Sequence, residues 1–183
     1  MRALKTMKPN RQKILVILGP TATGKSDLAV LLAKKFDGEI ISADSRQVYK
    51  GMDIGTGKVT KKEMGGIPHF LLDIASPKKV FTVSDYKRLA EKAIHTTISR
   101  GKLPIICGGT GFYIQSIVND LQIPEVVANL KLRKELGLKS LDELNAELKK
   151  LDPARAKNID ANKPVRLIRA IEIATALGKV PKI

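Results

Sequence analysis

The spacing of apolar positions changes period several times along the chain, and each change marks an element. Residues 14–18 are five apolar side chains without alternation, the pattern of a parallel strand covered on both faces. Leu28, Leu31, Leu32 and Phe36 then recur at helical spacing, with Gly38 placed as a left-handed stop. Residues 39–42, 68–74 and 103–107 read as three further strands. Before the last of them, Tyr86, Leu89, Ala90, Ala93, Ile94 and Ile98 form one stripe of a crossover helix that Ser84 caps and Gly101 ends. Residues 112–118 continue as a helix, and residues 51–66, with five glycines and many charges, read as an exposed, mobile loop.

From Asn119 the strand signals vanish. Helical segments are expected around 126–136, over 141–151 and over 163–177. Ser140 and Glu143 form a capping box for the second. The third has Asn162 as cap, Pro164 in its first turn and its end before Gly178. Alternation of strand and helix predicts an α/β fold: a phosphate-loop NTPase-like parallel sheet flanked by helices, with a small helical appendage. The expected division is a basic arm over 1–12, the core over 13–118 and the helical segment over 119–183.

Charge changes this picture. Lys and Arg outnumber Asp and Glu by 33 to 18, a formal net charge of +15. Residues 1–118 carry 20 basic and 9 acidic groups against 13 and 9 in residues 119–183, so the core holds most of the field. Such an excess favours a polyanionic partner, and nucleic acid over a membrane, for which no amphipathic anchor or apolar run of sufficient length is visible. The arm lacks the apolar centre of a signal peptide. Cys107, the single cysteine, has no internal disulfide partner, and no Cys or His pair has zinc spacing. A reducing, cytoplasmic setting is expected.

The candidate chemistry is densest just after the first strand. Gly19, Pro20, Thr21, Ala22, Thr23, Gly24, Lys25 and Ser26 fit the phosphate-loop pattern. Glycines let the backbone curl its N–H groups inward, the helix start adds its dipole, Lys25 adds a full charge, and Ser26 can hold Mg²⁺. A diphosphate or triphosphate suits such a cradle. Asp44, at the carboxyl end of the second strand, has two readings: general base or metal-shell ligand facing the cradle, or a capping role in which Asp44 or Ser45 starts a short helix over Val48 and Tyr49. Asp73 resembles the magnesium-shell aspartate of phosphate-loop hydrolases and also reads as a strand-end turn residue; His69 carries no assigned chemistry. Gly108, Gly109 and Gly111 around Thr110 imply a close approach of backbone to ligand or tight helix-to-strand packing. Arg166 and Arg169, three apart, share one helix side and read either as free for an anion or as a solvated face.

Several blocks occur together and in order: GPTATGKS at 19–26, ISADSRQVY at 41–49, GMDIGTGK at 51–58, PHFLLD at 68–73 and GGTGFY at 108–113. Across nearly its whole length the chain resembles the tRNA dimethylallyltransferases, also called tRNA isopentenyltransferases. The resemblance implies transfer of a dimethylallyl group from dimethylallyl diphosphate to the exocyclic amine of the adenosine beside the anticodon, with Mg²⁺ and loss of diphosphate. On that footing the cradle residues 19–26 hold the donor, with Lys25 and Ser26 on the leaving group. Asp44 is implied as general base, and Asp44, Ser45, Arg46 and Gln47 as the segment meeting the target nucleotide. Thr110 is implied beside the tRNA at the catalytic site, and Arg133, Arg166 and Arg169 as RNA contacts. The family also implies a monomer at full length.

Two departures accompany the resemblance. A glutamine usual in the family before the matched arginine is here Val165. Family chains also continue past the helix ending near Gly178, through elements that complete the sheet and the tRNA channel. An uncovered sheet edge with exposed apolar surface, and association through it, are therefore expected here. The competing functions are an adenine-nucleotide isopentenyltransferase, a phosphate-loop kinase or NTPase built on Lys25 and Asp73, and an inactive tRNA-binding remnant.

Overall fold

A computed structural model describes residues 13–181, so the basic arm lies outside the described residues. The chain forms two compact units, the first ending at Leu121 and the second starting at Gln122.

In the first unit, four strands, β1 (Leu15–Leu18), β2 (Gly38–Ser42), β3 (His69–Phe70) and β4 (Leu103–Gly108), form one sheet in the order β1-β4-β2-β3. Every pairing is parallel. Helices α1 (Lys25–Phe36), α2 (Val83–Ser99) and α3 (Gly111–Val118) supply the connections and cover. Ile41, Ile106, Tyr86, Ala90 and Ile94 pack on one side of the sheet, and Ile17, Ala29, Val30, Ala33, Ile40 and Ile105 make the other cluster. The buried Glu39 carboxylate fastens α2 to β2 by accepting from Thr97 Oγ1 at 2.8 Å and Arg100 Nη1 at 3.0 Å.

Several expected boundaries move, each for a local reason. β1 is an edge strand in the described residues; only Ile17 is buried, while Val16 and Leu18 stand 36% and 57% exposed. The unbroken apolar run thus reported strand but not two covered faces. Helix α1 stops on Asp37 in the left-handed region, and Gly38 instead opens β2, where a Cβ would lie 2.8 Å from Ile105 Cδ1 and 2.9 Å from the Leu103 carbonyl. β3 shrinks to two residues because Leu71 and Asp73 take φ values of 65° and 54°, which no strand tolerates. α2 begins earlier than Ser84, on a capping box of Thr82 and Asp85.

The second unit is helical: α4 (Leu130–Leu136), α5 (Leu141–Leu151), α6 (Pro153–Lys157) and α7 (Pro164–Leu177). Leu136, Leu144, Leu148, Leu167 and Ile171 form its core. The Ser140–Glu143 capping box is present. Lys163, not Asn162, precedes α7, and Gly178 ends it at φ 80°. The short α6 arises because Asp152 accepts from Arg155 N while Pro153 occupies the first helical position. Among the described residues no helix is long and apolar enough to cross a membrane.

Candidate functional site

Three strand ends lie level. Leu18 of β1 pairs with Gly108 of β4, and Ser42 of β2 pairs with Cys107. In a parallel sheet these carboxyl ends share one edge, where ligands bind in open α/β folds. Each end runs directly into one of the motifs, so sheet register alone gathers the 19–26 loop, the Asp44 segment and the Thr110 segment.

Ala22 and Gly24 both take left-handed backbone, φ 62° and 75°, and Gly24 is the N-cap of α1 without a side-chain cap. Alternating handedness turns successive N–H groups to one side, and the uncapped helix start adds donors and a positive dipole end. For alanine that conformation costs about 1–3 kcal/mol, strain that persists mainly where function requires the shape. Thr23 Oγ1 donates to the Pro20 carbonyl at 2.9 Å, and Lys25 Nζ also folds back onto that carbonyl. The Ser26 hydroxyl lies in the exposed first turn of α1. Among the described residues no cluster of three or more His, Cys, Asp or Glu is placed to hold a metal. A lone hydroxyl beside an anion cradle fits Mg²⁺, which takes few protein ligands and completes its shell with water and phosphate oxygens.

Asp44 Oδ1 accepts from the N–H groups of Arg46 at 2.8 Å and Gln47 at 3.3 Å. The capping interaction foreseen for Asp44 is therefore real, but it closes a turn, not a helix. Among the described residues Oδ2 has no such partner. The turn is stitched to the third segment: Ala43 N donates to the Cys107 carbonyl at 2.8 Å, Thr110 N to the Ala43 carbonyl at 3.0 Å, and Ser45 N to Thr110 Oγ1 at 2.9 Å. Gly108 permits this, because a Cβ there would sit 2.3 Å from the Ala43 carbonyl oxygen. Its close approach is thus to neighbouring backbone. Gly109 faces the Gly19 carbonyl, at ordinary contact distance for a Cβ of 3.4 Å.

Ser26, Gln47, His69 and Cys107 line a cavity of about 20 Å³ beneath these loops, so the phosphate-type loop and the Asp44 turn share a wall. Burial pushes the Cys107 thiol up to about 11, against the pull of Lys25, which leaves it protonated and unreactive at neutral pH. Burial also lowers the His69 pKa, partly opposed by its contact with the Ile67 carbonyl at 2.8 Å. Tyr113, stacked on Tyr86 with centroids 4.0 Å apart, is held up to about 12 by burial and then by Tyr49, Asp85 and Asp44. Its hydroxyl stays a protonated neighbour of the site, a residue that motif reading left unassigned.

The loop over 51–66 is fastened where mobility was expected. Lys58 Nζ, on a side chain only 5% exposed, donates to Asp53 Oδ1 at 2.7 Å, Asp73 Oδ1 at 2.5 Å and the Tyr49 carbonyl at 2.8 Å. Burial pulls the Lys58 pKa down, but the two carboxylates outweigh it and raise it. Gln47 Nε2 adds contacts to the Gly57 carbonyl at 3.1 Å and that of Thr56 at 3.4 Å. Asp73 is thus tied to a buried ammonium on a left-handed turn, an arrangement that fits the turn reading better than a metal-shell aspartate.

In the second unit, one expected anion surface is occupied from within. Glu172, 2% exposed, accepts from Arg133 Nε at 2.9 Å, Arg133 Nη2 at 2.7 Å, Asn129 N at 2.6 Å and Arg169 Nη1. Arg169 Nη2 also donates to the Val126 carbonyl at 3.0 Å. The expectation of an Arg169 free for an anion is corrected, and Arg133 is committed likewise. A buried carboxylate must be paired, and here the fork of Arg133 and one nitrogen of Arg169 pair it. Its signal was an acid flanked by Ile171 and Ile173, three residues beyond Arg169. Arg166 is different: its side chain is 67% exposed and, among the described residues, its one ion pair is with Asp160, at 3.8 Å.

Comparison with known proteins adds independent findings. A family model described as IPP transferase matches residues 47–182. The chain is 48% identical over 168 residues to a tRNA dimethylallyltransferase of Anoxybacillus flavithermus, covering 92% of this chain and 54% of that protein. One from Bacillus cereus is 45% identical over 173 residues, with 92% and 55% covered. The chain thus spans about half the length of the curated relatives it matches. Among solved structures, a full-length tRNA isopentenylpyrophosphate transferase of Bacillus halodurans superposes with a TM-score of 0.63 at 42% identity, covering 92% of this chain and 57% of that one. A eukaryotic dimethylallyltransferase acting on tRNA gives 0.76 at 34% identity, with 88% and 41% covered.

Proposed function

Because the chain belongs to the IPP transferase family, we propose that it carries the donor site and base of a tRNA prenyltransferase. The reaction transfers a dimethylallyl group from dimethylallyl diphosphate to the exocyclic amine of the adenosine beside the anticodon. One observation carries this reading: level strand ends set an anion cradle, a carboxylate turn and a threonine side by side.

The inward N–H groups of 22–26 and the Lys25 ammonium hold the diphosphate of the donor and take up the charge that grows on it as the carbon–oxygen bond breaks. The adenine amine nitrogen forms the new bond to the donor's first carbon, and the electron pair of the broken bond leaves with diphosphate. Asp44 accepts the proton the amine loses, through Oδ2, since Oδ1 is committed to its own turn. Mg²⁺, when bound at Ser26, supplies further neutralisation of the leaving group. Ser45, Arg46, Gln47 and Thr110 meet the nucleotide, which must leave its stack to reach the donor. Arg166 is the exposed RNA-facing arginine of the second unit, and the enzyme works in the cytoplasm.

The test is mass spectrometry of nucleosides from tRNA incubated with the chain, dimethylallyl diphosphate and Mg²⁺. A dimethylallyl adduct on the adenosine beside the anticodon is expected. Modification of free AMP but not tRNA, or phosphoryl transfer from a nucleoside triphosphate that survives Asp44→Ala, would overturn the assignment.

A further inference from the structure

Ile54 is 99% exposed, the most exposed large apolar side chain among those of the described residues. It stands on a short 3₁₀ turn, Ile54–Thr56, closed by Gly57 in the left-handed region. Lone exposed apolar residues are ordinary on mobile loops. This one is mounted on a braced turn. Thr56 Oγ1 donates to the Met52 carbonyl at 2.5 Å, and the buried Lys58 ammonium anchors the stem through Asp53, Asp73 and the Tyr49 carbonyl. Gln47, in the Asp44 turn, holds the Thr56 and Gly57 carbonyls. The isoleucine is therefore fixed, out in solvent, one hydrogen-bonded step from the segment that meets the nucleotide.

The 51–66 loop that carries it and the preceding Asp44 turn suit a polyanion. Arg46, Lys50, Lys61 and Lys62 are exposed and form no ion pair among the described residues, whereas Lys58 is neutralised by Asp53 and Asp73. Met52, two residues before it, is a second large apolar side chain left 39% exposed. Nucleic-acid-binding proteins insert apolar wedges of this kind between base steps, and enzymes that act on a base must keep it out of its stack.

We propose that Ile54, on the turn braced by Lys58 and Gln47, is a wedge that enters the RNA base stack beside the swung-out adenosine and holds the gap open. This rests on the reading of the Asp44 turn as the nucleotide-meeting segment. Ile54 is a positioning residue: it touches neighbouring bases and neither the donor nor the reacting amine.

The experiment uses the full chain and an RNA stem-loop with 2-aminopurine in place of the adenosine beside the anticodon triplet. That base lacks the reacting amine, so its fluorescence reports extrusion apart from chemistry. Wild type is expected to raise the fluorescence on saturation. Ile54→Ser should lose at least about half of the rise and lower kcat/KM for tRNA about tenfold, the scale of an isoleucine moved from a buried contact into water. KM for dimethylallyl diphosphate and the unfolding midpoint should stay unchanged, because a fully exposed side chain supports no fold contact, and Ile54→Met should restore the rise. A rise with Ile54→Ser equal to wild type, or no rise with wild type, overturns the wedge. If wild type extrudes the base, Ile54→Ser does not, and neither yields prenylated tRNA, the wedge stands and the transferase reading falls.

Discussion

Gly108→Ala places one methyl group where the sheet and the site meet. The added Cβ would lie 2.3 Å from the Ala43 carbonyl oxygen, 2.4 Å from its carbon and 2.8 Å from its Cα. All three are backbone atoms, so no side chain can swing away. Relief to an ordinary contact of 3.4 Å needs about 1.1 Å of separation between the end of β4 and residue 43. Two hydrogen bonds cross that seam, Ala43 N to the Cys107 carbonyl and Thr110 N to the Ala43 carbonyl. Overpacking costs about 1–3 kcal/mol and a strained hydrogen bond up to about 1 kcal/mol. A loss of about 3 kcal/mol lowers the unfolding midpoint by about 6–12 °C in a chain of this size. The same shift moves Asp44 away from the cradle, and a misplacement near 1 Å costs about 100-fold in rate. Gly111→Ala is the control: it opens α3, has no positive φ, and its Cβ would meet nothing within 4 Å. Calorimetry and single-turnover prenylation of tRNA at matched folded concentration separate the effects. A Gly108→Ala protein with the midpoint and rate of the Gly111→Ala control would refute the seam.

The remaining expectations are narrower. Asp44→Asn keeps the Oδ1 acceptor of the turn and so the fold, but removes the proposed base; transfer should fall by at least about 100-fold while donor binding by titration calorimetry holds. Lys25→Ala should weaken binding of inorganic diphosphate at least about tenfold, the scale of one lost charge-assisted contact, and equal affinity would remove Lys25 from the cradle. Burial alone would raise the Glu172 pKa, but Arg133, Arg169 and the Asn129 N–H overcome it and hold it at about 2, below its ordinary 4.5. A depressed carboxylate stabilises above its unfolded pKa, so the second unit should lose stability as pH falls from about 4.5 through 2; Glu172→Gln should lose about 3 kcal/mol at pH 7 and flatten that acid limb in pH-dependent unfolding. Val16 and Leu18 on β1 and Leu28 and Leu31 on α1 are exposed, so sedimentation should show concentration-dependent association that Val16→Lys with Leu31→Lys abolishes; a wild type monomeric at high micromolar concentration would count against it.

Periodicity exposed most of the fold because helices and buried strands write their period locally. The 19–26 loop between strand and helix, the crossover helix and the Ser140 capping box each depend on residues within one or two turns of each other. What failed were features settled by distant neighbours. Residues 14–18 read as doubly covered, yet whether a strand is central or at an edge depends on which strands pair with it. The left-handed Leu71 and Asp73 broke an apolar run that looked like seven residues of strand. Gly38 was visible as a glycine, but its cause, the approach of Ile105 and the Leu103 carbonyl, lies more than sixty positions away.

The candidate site divides the same way. Residue types and spacing alone determined that a phosphate-loop pattern opens α1, that an acid follows β2 and that a glycine-rich turn follows β4. Only the tertiary structure decided that these three ends are level, that Thr110 receives the Ser45 N–H, that Lys58 reaches Asp73 to brace the intervening loop, and that Arg133 answers to Glu172. Local backbone preferences act over a few residues and can be read in order along a chain. Hydrogen bonds and ion pairs between residues 15 to 65 positions apart exist only once packing has excluded water from between them, and linear order carries no record of that distance.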